Sequence, residues 1–234
     1  MFGDSHARNF RRSFPVNSFI ASSARGLSNI KSKTGVGQKI RECLKSVDIE
    51  TNVIFYFGKV DLDFISNYKY NSHDLNLDEL SEYLAETAEI YINYIKSTMV
   101  KNVMVFEPPV IHLNEPDMLK TLQIDHHRMN ASHHLSDKDS EDMQPVNIHE
   151  KMIPRGDHIT LYNMFNTKLK SLCTSNNFAF VEINKYFKQP PGGNIESSYV
   201  VPSKYIQGHL DHHLHSDSNE LYLKSMNSLG YTIE

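Results

Sequence analysis

Apolar residues along this chain follow two rhythms. Short unbroken runs of β-branched and aromatic residues form the first, and the clearest is Val53-Ile54-Phe55-Tyr56-Phe57, which ends at Gly58. A strand with one wet face would alternate apolar and polar, so this run predicts a central strand buried on both sides. Val103 to Phe106, stopped by Pro108-Pro109, and Phe178 to Ile183 read the same way, with a weaker strand at Ser18 to Ala21. The second rhythm has a period of three and four. Leu77, Leu80, Leu84, Ala88, Tyr91 and Ile95 form an apolar stripe opposite Glu79, Glu82, Glu86 and Glu89, which predicts a long amphipathic helix. Ile159, Tyr162, Phe165, Leu169 and Leu172 predict another, Val36, Ile40 and Leu44 a shorter one, and residues 219 to 229 a closing helix. Strands that alternate with helices in this way imply a parallel sheet wrapped by helices.

One stretch breaks the rhythm. Residues 112 to 154 have little apolar periodicity and are rich in His, Asp, Asn and Met, and they exceed the connections usual in compact domains. They are expected to be a surface insertion in a single domain spanning residues 1 to 234. The chain's 39% hydrophobic and 22% charged residues are those of a globular protein. Cys43 and Cys173 are its only cysteines, which excludes a disulfide framework and argues against a cysteine-based zinc site. No apolar run is long enough to span a bilayer. Free thiols and the lack of a secretory signal point to the cytoplasm. Residues 1 to 45 carry nine basic and two acidic side chains, although the whole chain has a net charge of −4. An acid-poor, Arg- and Ser-rich start is also the mark of a mitochondrial transit peptide. That reading would discard the motif at residues 2 to 6, so it is set aside.

Chemistry collects at the carboxyl ends of the expected strands, where open parallel sheets bind ligands. Phe2-Gly3-Asp4-Ser5-His6 opens the chain, Ala21 to Leu27 follows the weak strand, and Gly58-Lys59-Val60-Asp61 follows the strongest one. Gly208 to His215 comes after the last strand. Eight of the thirteen histidines fall in two windows, 126 to 134 and 209 to 215. A serine at a strand end with a late Asp and His suits acyl chemistry: the hydroxyl needs a base, and the base needs a carboxylate to fix its tautomer.

Taken in order, these blocks resemble the GDSL or SGNH serine hydrolases, whose blocks are Gly-Asp-Ser, Gly-x-Asn-Asp and Asp-x-x-His. The similarity covers residues 2 to 7, 20 to 37, 53 to 63 and 209 to 226. It implies a flavodoxin-like three-layer α/β/α sandwich with a five-stranded parallel sheet, an ester hydrolase or acyl transferase activity, and no cofactor. A small-molecule or glycan ester is the substrate implied. Ser5 matches the nucleophile, and the N–H groups of Ser5, Ala21 and Gly58 match the oxyanion donors, with Gly26 as the alternative to Ala21 for the glycine of the family's second block. Asp211 matches the orienting carboxylate and His213 the base, with His215 as the alternative base and His209 and His212 behind them. The chain departs from the family in three places. Val60 stands where the family has its Asn donor, Leu214 follows Asp211 at the usual histidine spacing, and only Met1 and Phe2 precede Gly-Asp-Ser.

Blander readings compete. Ser5 could be a turn or N-cap serine, Asp61 could serve only backbone N–H groups, and most of the late histidines could be solvated. Two further classes stay open. One is a binding or structural protein that keeps the fold with weakened chemistry. The other is a metal-dependent phosphoesterase holding ions between Asp61-Leu62-Asp63 and the Asp-His-His triplets at 125 to 127 and 211 to 213. The basic start lacks the interleaved aromatics of a nucleic-acid module, so nucleic acid is not expected as a partner. Arg8, Arg12 or Arg25 near Ser5 would instead favour an anionic substrate or merely solvate a face. Oligomeric state is open.

Overall fold

The computed structural model describes residues 1–32, 34–72, 74–110, 118–119, 152–186 and 218–231. Asp211, His213 and His215, the triplet at 125 to 127 and nearly all of the expected insertion lie outside these residues.

Within the described residues, strands β1 (Phe2–Gly3), β2 (Asn17–Ser18), β3 (Val53–Tyr56), β4 (Val103–Phe106) and β5 (Ala179–Val181) form one parallel sheet in the order β2-β1-β3-β4-β5. This is the flavodoxin-like order, with β3 at its centre and β1 between β2 and β3. All four residues of β3 and of β4 are buried, as their unbroken apolar sequences require. The short β1 and β2 pair with their neighbours in register, Phe2 with Asn17 and Phe55, Gly3 with Ser18 and Tyr56.

Helices cover both faces. Helix α1 is Val36–Leu44, α2 Ser66–Ser72, α3 Leu77–Ser97, α4 Arg155–Ser175 and α5 Asn219–Ser228. Residue alternation along the strands sorts them into layers. Phe57 meets Tyr91 of α3 edge to face at 6.1 Å, and α4 lies against α3 on that side. Tyr56 and Phe106 face the other way, onto Phe10 and Tyr222 of α5, with Phe106 and Tyr222 stacked at 4.8 Å. The Tyr222 hydroxyl is 2.8 Å from that of Tyr56 and donates to the Glu107 carbonyl at 2.9 Å, so the closing helix is pinned to the ends of β3 and β4. Asn76 opens α3 with a reciprocal cap: its side chain accepts the Glu79 N–H, and Glu79 accepts the Asn76 N–H.

Several short elements were not expected from the sequence, and two of them follow β1 and β3. Phe10 belongs to a 3-10 helix, Ser5–Arg12, that follows β1 directly. After Gly58 the chain turns at once into a helical segment, widened to a π turn at Asp61–Ile65, that runs on into α2.

Candidate functional site

The sheet register brings three of the sequence-predicted blocks to adjacent strand ends. Ser5 lies two residues beyond Gly3, Gly58 two beyond Tyr56, and Ala21 three beyond Ser18, and Gly3, Ser18 and Tyr56 are register partners. Neighbouring strands are about 4.8 Å apart. The three backbone positions therefore cluster at the carboxyl edge, where the strand order reverses.

Ser5 is half-buried at the first position of the 3-10 helix. The turn that carries it is held by Asp4, which is 1% exposed. The Asp4 N–H donates to Tyr56 O at 3.1 Å, and its carbonyl accepts the Ser18 hydroxyl at 2.9 Å. Its carboxylate accepts the His6 N–H at 2.9 Å and lies 3.0 Å from His6 Nδ1. Gly3 has no room for a side chain: a Cβ there would lie 2.6 Å from that of Ala7 and 2.7 Å from Tyr56 O. The glycine lets the helix fold back onto the strand.

Two of the expected oxyanion positions have left-handed backbone. Gly58 has φ +117°, and a Cβ on it would meet Pro108 at 3.0 Å and Phe165 at 3.1 Å. Ala21 has φ +56°. Only glycine takes such a conformation without cost. Ala21 thus holds a conformation that favours glycine. Val60 is 3% exposed and packs into the core, so its side chain offers no donor.

Asp61 joins the second block to the third. It is fully buried, and its carboxylate accepts the Ala24 N–H at 2.6 Å and the Arg25 N–H at 3.4 Å. Burial raises its pKa to about 7, against the lowering effect of those two N–H groups. The structural reading of Asp61 matches this geometry. Arg25 is occupied elsewhere: it pairs with Glu86 at 2.7 Å and lies over the Tyr83 ring at 4.7 Å.

Asp63 does not converge with Asp61. It belongs to a buried ionic network that sequence reading missed. Lys59, 2% exposed, reaches Asp63 at 3.1 Å and donates to the Tyr162 hydroxyl at 2.6 Å and to Pro109 O at 3.1 Å. Tyr162 donates in turn to Asp63. His158 Nε2 donates to Leu62 O at 2.7 Å. Burial pulls the Lys59 pKa down, partly offset by Asp63. Burial alone would raise Asp63, but Lys59, His158 and Tyr162 hold it below the ordinary carboxylate value. The one legible signal was the Lys59/Asp63 spacing of four residues on a helical segment. No group of three or more His, Cys, Asp or Glu side chains among the described residues is arranged to hold a metal ion.

The last block is approached from its far side. Ser218 is 2% exposed, and the Asn219 amide donates to Asn9 O at 2.5 Å, tying the start of α5 to the Ser5 helix.

No protein-family model and no curated protein sequence matches this chain. Solved structures do. An extracellular lipase from Streptomyces rimosus superposes with a TM-score of 0.54 at 13% identity, over 97% of each chain. Phospholipase A1 from Streptomyces albidoflavus gives 0.52 at 12%, covering 97% of this chain and 96% of that one. A GDSL-like lipase from Bacteroides thetaiotaomicron gives 0.52 at 10%, covering 97% and 84%. At these identities the likeness establishes the fold, and it agrees with the sheet order and layers described above.

Proposed function

With a divergent GDSL (SGNH) hydrolase fold as the premise, we propose that this chain is a serine ester hydrolase or acyl transferase. Ser5 Oγ attacks the ester carbonyl while His213, oriented by Asp211, accepts its proton. The N–H groups of Ser5, Ala21 and Gly58 hold the developing oxyanion. His213 returns the proton to the leaving alcohol, and water or a second alcohol then releases the acyl group from Ser5. One observation carries the reading: Ser5 follows the interior strand β1, and the strands on either side of β1 are each followed by a left-handed backbone position, Ala21 and Gly58. The tether at Asn219 is compatible with it. His213 precedes Asn219 by six positions, a stretch of chain that spans at most about 20 Å. His215 is the alternative base.

Val60 favours a second reading, a binding protein with weakened chemistry. Loss of one oxyanion donor typically costs about 10²–10³ in turnover. One experiment separates the two. Short-chain aryl ester turnover and fluorophosphonate labelling should both disappear in Ser5→Ala. Full activity and labelling in that variant would refute the nucleophile, and a wild-type protein that neither turns over nor labels would favour the binding reading.

A further inference from the structure

We propose that this site selects esters bearing an anionic group, and that Arg8, backed by Arg11, is the cation that selects them. The proposal rests on the reading of Ser5 as the nucleophile. It begins with the 3-10 geometry of Ser5–Arg12. At three residues per turn, side chains at i and i+3 eclipse one another, so Ser5, Arg8 and Arg11 stand in one column. Burial follows the same period. Ala7 and Phe10 are buried, as is His6 at the foot of the third column, whereas Ser5 is half-buried and Arg8 and Arg11 are exposed. The column that begins with the nucleophile is the most open of the three to solvent, ahead of the His6-Asn9-Arg12 column, which opens only toward Arg12.

These arginines are unspent. Neither Arg8, Arg11 nor the adjacent Arg12 joins an ion pair among the described residues. Elsewhere on the surface, cations near helix α3 are matched: Arg25 to Glu86 at 2.7 Å and Lys168 to Glu89 at 2.6 Å. The sole acid in residues 1 to 32 is Asp4, which is buried against His6. Glu220 at the start of α5 is exposed and pairs with none of the three. A solvated face does not need three unmatched guanidinium groups, whereas recognition of a carboxylate, sulfate or phosphate uses their planar fork. With a rise of about 2 Å per residue, the Arg8 backbone is roughly 6 Å from that of Ser5. Its side chain therefore reaches an anion a few bonds away from the scissile carbonyl.

The test compares 4-acetoxybenzenesulfonate with its neutral counterpart 4-acetoxybenzenesulfonamide. Wild-type kcat/KM should favour the anionic ester by about tenfold at low ionic strength, equal to about 1.4 kcal/mol, and the preference should fade as salt is raised. Arg8→Glu should remove it, Arg8→Lys should retain part of it, and Lys101→Glu, an equal charge change before β4 at the opposite end of the sheet, should leave the ratio as it was. No preference in the wild type, or an unaltered ratio in the Arg8→Glu, Arg11→Glu double variant, overturns the proposal. Calorimetric binding of the uncleavable amide 4-acetamidobenzenesulfonate separates this from the hydrolase reading. If turnover proves independent of Ser5 but Arg8-dependent binding persists, the anion site stands and the nucleophile falls; absence of binding as well removes both. Arg8-dependent attachment to anionic lipid vesicles, without discrimination between the soluble esters, also overturns the proposal, in favour of a surface-binding patch.

Discussion

Ala21 holds φ at +56°, where its Cβ crowds the adjacent backbone. The strain lies at a predicted oxyanion donor, and its removal is measurable. Ala21→Gly should raise stability by up to about 1 kcal/mol without loss of turnover, because the proposed donor is the backbone N–H. Ala21→Val should cost about 1–3 kcal/mol, since a β-branched residue is a true outlier there. Denaturant midpoints at constant m-value check both, and equal midpoints for the three proteins would contradict the backbone argument. Asp61 makes a separate prediction. Its folded pKa is raised to about 7 by burial, so the folded protein holds this proton more tightly than the unfolded chain does. The stability it contributes is full below the unfolded value of 3.8 and is lost as pH rises through about 7. Asp61→Asn keeps a neutral acceptor at every pH. Relative to wild type, the variant should gain on the order of 4 kcal/mol between pH 4 and pH 8; parallel stability curves would mean that Asp61 is ionised throughout.

Among the elements, those with a plain period were legible in the sequence. Helices α1, α3, α4 and α5 and strands β3 and β4 fall where the three-four and unbroken apolar patterns put them, since each buries one stripe or both faces. The 3-10 helix was hidden. Its period of three is too short-lived to register over eight residues, and its buried residues include His6, which reads as polar. The turn into α2 was hidden for the opposite reason: residues 59 to 67 are all buried, so no amphipathic stripe exists to read. Lys59 lies in this buried stretch: a lysine two residues from an aspartate is a pattern common on surfaces, and here it is 2% exposed. It joins the β3 turn to the segment after β4 and to α4. Lys59→Met should therefore destabilise by about 3–5 kcal/mol, leaving Asp63 buried without its cation, whereas Lys59→Met combined with Asp63→Leu should recover much of the loss. Thermal or chemical unfolding of the two variants decides it. A single variant as stable as wild type would show that Asp63 is neutral in the folded protein.

At the scale of the whole molecule, the sheet order carries the functional argument. A two-residue strand can present Ser5 because β1 is flanked on both sides and its flanking turns are cross-braced: Asp4 to Ser18 and Tyr56, Asp61 to Ala24 and Arg25. The same bracing bears on the metal reading of the histidine-rich sequence. A two-metal phosphoesterase needs Asp61 and Asp63 turned toward one site, with their oxygens available. In this fold Asp61 faces the β2 side and is filled by N–H groups, and Asp63 faces α4 and is filled by Lys59 and Tyr162. Freeing either would require breaking a buried network. Ester turnover should accordingly survive exhaustive chelation with unchanged kcat/KM and remain dependent on Ser5. Loss of activity in chelator, its return on adding Zn²⁺ or Mn²⁺, and indifference to Ser5→Ala would together return the histidine windows to the centre of the chemistry and assign Ser5 to the turn alone.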